Sequence, residues 1–246
     1  MKTSSLPAFS LFLVLLCTAA PAAAEKLFIA SAANFIRPLE ELSSIYRQQK
    51  GTTSTLSYGS SGKLYAQLLQ GAPYDMFLSA DKDRPQLLYE KGLCEAPFQY
   101  SAGQVVLWSR YTYPASSSWQ EVILQGDGRI ALSNPDTAPY GEIPMRTLQQ
   151  LHLLQSLESR LVYGQSVGQS FLFARSGAAR FAFIALSQAI SPEGQKGHYW
   201  SIPESNPVEQ WGCITTHSRH ADLARDFQSF LTTESTRALI RRHGYL

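Results

Sequence analysis

The sequence predicts an α/β protein with mostly parallel sheets. Short apolar runs alternate with longer runs whose apolar residues recur every three or four positions. The longer runs are bracketed by residues that start and stop helices. No repeat or low-complexity tract breaks the alternation after the first two dozen residues. Alternating strands and helices imply sheets covered on both faces.

Residues 1–24 stand apart. "MKTSSLPAFSLFLVLLCTAAPAAA" carries one lysine, an apolar stretch from Phe9 to Leu16, and small residues at Ala22, Ala23 and Ala24. This is the three-part pattern of an export signal, with cleavage expected after Ala24. The apolar stretch is too short to remain as a membrane span. Leu16 stands before Cys17 where a lipoprotein signal would have a small residue, which argues against lipid attachment.

The elements then follow in order. "KLFIASA" reads as a buried strand and "NFIRPLEELSSIYRQQKG" as a helix. Asn34 is expected to cap that helix, and Pro38 falls in its first turn, where no N–H is needed. Leu39, Leu42, Ile45 and Tyr46 share one face, and Gly51 ends it. "TSTLSYG" with the helix 61–70 repeats the unit, closed by Gly71, and "YDMFLSA" with "KDRPQLLYEKG" repeats it again. "GQVVLWSR" (103–110) is a strand leading into a Ser-rich loop, 113–118. "GRIALSNPDTAPYGEIPMRTLQQL" reads as strand, loop and helix, as does "RLVYGQSVGQSFLFARSG". "RFAFIALSQAI" supplies a strand, residues 191–207 read as irregular, and "VEQWGCITTHS" is a further strand. "HADLARDFQSFLTTESTRALIRRHGYL" reads as two helices that pack back on the first part of the chain.

Four strand-to-helix loops share a property. They hold Ala33-Asn34, Gly59-Ser60-Ser61, Pro139-Tyr140-Gly141 and Gly164-Gln165-Ser166-Val167. Each lies at a strand's carboxyl end, the edge where open α/β sheets bind ligands. Helix N-termini there offer free N–H groups and a positive dipole end. None of the four tips holds Lys, Arg, Asp, Glu or His. Singly, each Ser or Asn need do no more than cap its helix; together they describe a site for a small anion held by neutral dipoles.

Charge and cysteines bound the rest. Of 21 Lys and Arg and 19 Asp and Glu, only Lys2 lies in the leader, so the mature chain is close to neutral. That balance gives no electrostatic basis for binding nucleic acid or anionic lipid. Cys94 and Cys213 remain after cleavage; export permits a disulfide, and two buried thiols fit equally well. No His, Cys and carboxylate cluster has metal-ligand spacing, so no bare cation is expected. "GSSGK" lacks the phosphate-loop spacing, and the serines do not form a nucleophile elbow.

Several blocks resemble the periplasmic molybdate-binding proteins of ABC importers, in order along nearly the whole mature chain. They are "FIASAANFIRPLEELSSIYRQQKG", "YGSSGKLYAQLLQGAPYDMFLSAD", "SNPDTAPYGEIPMRTLQQL", "GQSVGQSFLFARSGAARFAFIALSQ" and the closing "RRHGYL". The resemblance implies a two-lobed periplasmic-binding-protein fold with crossing strands at "GQVVLWSR" and "WGCITTH". Residues 25–106 and 213–246 would form one lobe and 107–212 the other. It implies an oxyanion site at Ala33, Asn34, Ser61, Tyr140 and Val167. Many family members carry a hydroxyl where Ala33 stands, leaving here its N–H and the Asn34 amide. Ser61 would give its hydroxyl and N–H, and Val167 its N–H. Some members have a ligand tyrosine where this chain has Ala185, so Tyr140 is expected to complete the shell through its phenol or its N–H. Ser60 is expected only to shape the turn, and Gly59 and Gly62 to let the backbone approach the ligand. The implied function is capture of molybdate, and of tungstate, by a monomeric periplasmic carrier that delivers to a membrane permease. It has no cofactor and is not an enzyme. A carrier of sulfate or another oxyanion, and an exported serine hydrolase, are the competing readings.

Overall fold

The computed structural model describes residues 26–114 and 116–246. The expected leader lies outside the described residues. The first stretch runs β1 (Lys26–Ala32), α1 (Ile36–Lys50), β2 (Thr53–Gly59), α2 (Ser61–Leu69), β3 (Met76–Ser79), α3 (Asp83–Glu90) and β4 (Phe98–Gly103). The second runs β5 (Val105–Ser109), α4 (Trp119–Gln125), β6 (Ile130–Ser133), α5 (Pro139–Gln150), α6 (Leu154–Leu157), β7 (Leu161–Gly164), α7 (Val167–Ser176), β8 (Phe181–Ala185), α8 (Leu186–Ala189) and β9 (His198–Ser201). β10 (Val208–Ile214), α9 (Ala221–Leu231) and α10 (Glu234–Arg242) follow.

Two five-stranded sheets result, in the orders β2-β1-β3-β10-β4 and β7-β6-β8-β5-β9. The strand–helix–strand units pair in parallel, β1 with β2 and β3, and β6 with β7 and β8. The antiparallel pairings are made by the strands next to the crossings: β10 with β3 and β4, and β5 with β8 and β9. The sheets are therefore mixed, one per lobe. One of the two crossings differs from the expected one. The difference concerns the second crossing: β5 pairs within the second sheet from Val105 onward, directly after Gly103 in the first, while β10 already pairs within the first from Val208. The chain passes between sheets at Gln104 and over residues 202–207. "GQVVLWSR" therefore does cross, with Gly103 in the first sheet and Val105–Ser109 in the second, whereas "WGCITTH" lies wholly on the first-sheet side and the second crossing falls before it.

Each sheet has its own core. One face of the first sheet packs Leu39, Leu42 and Tyr46 of α1 against Phe227 and Ile240 of α9 and α10; the other packs Leu64, Leu68 and Leu88 over Phe77. Trp108, Phe181, Phe183 and Ile184 centre the second core. Gly51 ends α1 with φ +74°, and its N–H donates to Arg47 O at 2.9 Å. That left-handed turn is where glycine carries no Cβ penalty.

Five of the strands and α-helices were not read from sequence: the four-residue helices α6 and α8, and β4, β9 and α4. β4 does alternate, Phe98, Tyr100 and Ala102 with Gln99 and Ser101, and is a legible strand signal; β9 is a four-residue strand in the stretch read as irregular. α4 is begun by a reciprocal Ser118–Glu121 capping box, a legible signal in "SWQE". Asn34 also differs from expectation: it lies within a 3₁₀ turn, Ala33–Phe35, and caps nothing. Cys94 and Cys213 form a disulfide, Cα to Cα 5.9 Å, within the first lobe.

Candidate functional site

The four loops with uncharged tips converge where the two sheets' parallel strands end. β1 enters the Ala33–Phe35 turn, β2 enters α2, β6 leads through Asn134–Ala138 into α5, and β7 leads into α7. The loop after β6 is folded by Asn134, whose Oδ1 accepts from Asp136 N and whose carbonyl accepts from Thr137 and Ala138 N. Pro139 then opens α5, where its missing N–H costs nothing. Ser166 opens α7 by accepting from Gln169 N.

Between the loops lies a cavity of about 10 Å³, the space of roughly one water-sized sphere. Ala33, Asn34, Ser61, Tyr140 and Val167 all line it, so the fold brings the five sequence-derived residues together. No Lys, Arg, His, Asp or Glu lines it. Ala33, Ser61, Tyr140 and Val167 stand in first turns, whose N–H groups have no intrahelical acceptor. Ser61 Oγ accepts from Ala80 N at 3.0 Å, which leaves its own proton to be donated into the cavity. The arrangement can hold a small anion by hydrogen bonds, and contains no acid, base or metal ligand set.

Comparison with known proteins agrees. Residues 27–246 match the family described as bacterial extracellular solute-binding protein. The chain belongs to that family. Two relatives are the molybdate-binding proteins ModA of Rhodobacter capsulatus, 36% identical over 93% of this chain and 91% of that one, and of Azotobacter vinelandii, 32% identical over 92% of each. The solved structure of the Azotobacter vinelandii periplasmic molybdate-binding protein superposes with a TM-score of 0.84 at 35% identity, covering 89% of this chain and 98% of that one. The sulfate-binding protein SubI of Mycobacterium tuberculosis shares the fold, with a TM-score of 0.79 at 14% identity over 90% and 86% of the two chains.

In this solute-binding protein the two lobes touch on both sides of the cavity. Gly62 N donates to Thr137 O at 2.8 Å, and Arg84 Nη2 to Asp136 O at 3.3 Å. Lys63 reaches Gln165, and Arg37 pairs with Glu193 at 3.0 Å. Beneath the cavity a buried polar network joins the lobes. Gln210 Nε2 is committed to Val208 O at 2.8 Å, which turns its Oε1 toward Asn34. Asn34 Nδ2 therefore donates to Gln210 Oε1 at 2.7 Å and to Tyr245 Oη at 3.1 Å. The Tyr245 hydroxyl donates to Asn34 O at 2.7 Å, which also accepts from Ser187 Oγ at 3.0 Å. Both amide protons of Asn34 are thus spent on the hinge, and only its main chain is left for a ligand. Ser187 and Tyr245 lie in the family-like blocks ending "FIALSQ" and "RRHGYL" and Gln210 in none of those blocks, but the role of all three was not legible because they act across long sequence separations.

The same geometry separates the two roles considered for Tyr140. Its phenol projects toward the hinge, where a side chain on Gly103 would collide with the hydroxyl. That hydroxyl is buried without a hydrogen-bond partner, and burial beside Tyr245 and Tyr100 raises its pKa well above the usual phenol value, with nearby Asn34 offsetting part of the rise. An unpaired buried hydroxyl costs roughly 1–3 kcal/mol. Tyr140→Phe is accordingly expected to leave anion affinity within about twofold and to raise the melting temperature. Loss of binding in this variant would return the phenol to the ligand shell.

Proposed function

We propose that this solute-binding protein captures molybdate, and also tungstate, in the periplasm and delivers it to the membrane permease of an ABC importer. It acts as an exported monomer and a carrier, with no catalytic step and no cofactor. The observation that carries the reading is a cavity lined by converging neutral donors from both lobes and by no charged side chain. A fully ionised oxyanion needs no proton from its site. Each hydrogen bond to a charged oxygen contributes roughly 1.5–3 kcal/mol. Half a dozen fixed donors can offset the cost of dehydrating a dianion. A ligand bridging Ala33 and Ser61 of one lobe to Tyr140 and Val167 of the other favours the closed arrangement, which is the form a permease can recognise. A ring of backbone donors measures size, and so distinguishes molybdate and tungstate from the smaller sulfate.

A hydrolytic reading lacks its base. His217 and His220 lie beside Phe28 and Asp75, at the end of β1 opposite the cavity. Calorimetric titration of the mature protein with molybdate, tungstate, sulfate and phosphate tests the proposal. Binding of the first two alone supports it; equal binding of sulfate, or none of molybdate, overturns it. Ser61→Ala is expected to weaken molybdate binding at least roughly tenfold and to lower stability by orphaning Ala80 N. Unchanged affinity would reduce Ser61 to a structural residue.

A further inference from the structure

Ser60 stands at the start of α2 with extended backbone, φ −75° and ψ 151°, in the position where a serine normally accepts a hydrogen bond from the first turn. It does not do so. Ser118, Ser166 and Thr233, at the starts of α4, α7 and α10, each accept from the N–H three residues on. Ser60 makes no such bond, and its hydroxyl is buried with no partner at all. The residue is 4% exposed and lines the same cavity as Ala33 and Ser61. Native proteins rarely leave a buried hydroxyl unpaired, because the group loses water and gains nothing.

Among the described residues, Ser60 and Tyr140 are the two that both line this cavity and carry such a hydroxyl. The Tyr140 phenol faces Gly103. The neighbouring Ser61 hydroxyl already has Ala80 N as a donor, and Ala33 has no hydroxyl to give. We infer that Ser60 is a further ligand residue, its hydroxyl donating a hydrogen bond to the bound oxyanion. This rests on the anion-carrier reading above. Ser60 then supplies on the β2 loop a side-chain donor that the β1 loop lacks. The hydroxyl is held away from the helix end so that the ligand, rather than the first turn, becomes its partner.

The test uses Ser60→Ala and Ser60→Gly in the mature protein, with molybdate titrated by calorimetry and melting followed with and without it. Both variants are expected to bind molybdate roughly ten- to a hundredfold more weakly. Without molybdate they are expected to melt at or above the wild-type temperature, because no existing bond is removed. The anion-induced rise in melting temperature should shrink in both. Wild-type affinity in both variants would overturn the inference while leaving the carrier reading intact. A lowered melting temperature with an undiminished molybdate-induced shift would also overturn it, by making Ser60 a turn residue. Failure of the wild-type protein to bind molybdate would instead sink the carrier reading itself.

Discussion

Replacing Gly62 with alanine is expected to weaken molybdate binding roughly a hundredfold while leaving the ligand-free protein's stability nearly unchanged. A Cβ on Gly62 would stand 2.9 Å from the Thr137 carbonyl oxygen and 3.0 Å from its Cα, both backbone atoms of the opposite lobe. Neither can swing aside as a side chain could. Gly62 N is also the donor of the 2.8 Å bond that joins the lobes at this point. The clash exists only while the lobes are together, so the free protein relieves it by parting them. The bound form cannot, and a steric penalty of roughly 1–3 kcal/mol then falls on affinity alone. Gly62 thus serves lobe-to-lobe contact, a different role from the ligand approach expected of it. Calorimetry paired with small-angle scattering checks this: the variant should stay expanded at molybdate concentrations that compact the wild type. Full compaction at wild-type affinity would sink the idea.

Removing the disulfide should have the opposite profile, with a large loss of stability and little change in affinity. Cys94 and Cys213 are 119 positions apart, and every strand of the second sheet lies between them. In the chain-entropy picture a loop of that length contributes roughly 4–5 kcal/mol by restricting the unfolded chain. Neither cysteine lines the cavity. The Cys94→Ser, Cys213→Ser double variant should melt roughly 10 °C lower and bind molybdate as the wild type does. Scanning calorimetry of the oxidised and reduced wild type gives the same comparison without mutation. Equal melting temperatures would show that the bond adds no net stability.

The fold was legible because its repeating unit is local. Alternating apolar strands and capped helices can be read from neighbours in sequence, and "SSG", "PYG" and "GQSVG" mark the strand-to-helix turns that meet at the cavity. What each residue does there was less legible. Asn34 looked like a cap and an amide donor; its amide is engaged by Gln210 and Tyr245, more than 170 positions away. Ser60 and Ser61 are adjacent and chemically alike, yet only the Ser61 hydroxyl has a main-chain partner, Ala80 N. β9 escaped because a four-residue strand at a sheet edge takes its identity from the neighbour it pairs with, whereas β4 was legible in the alternation of Phe98, Tyr100 and Ala102. The pairing of Cys94 with Cys213 likewise depends on β10 returning beside the segment that follows α3.

The order of strands in the first sheet also sets a timetable for synthesis. The second sheet is drawn from one continuous stretch, β5 to β9, and has all its strands once Ser201 is made. The first sheet begins earlier and finishes later. β10 sits between β3 and β4, so β4 has no neighbour in its own sheet until the whole second lobe has been synthesised. Tyr245, which fastens Asn34, comes later still. A nascent chain therefore carries an unfinished first lobe for most of its growth, with its long-range pairings formed last. The oxyanion cleft is assembled at the final step, and a chain that stops short of Tyr245 lacks the hinge on which it turns.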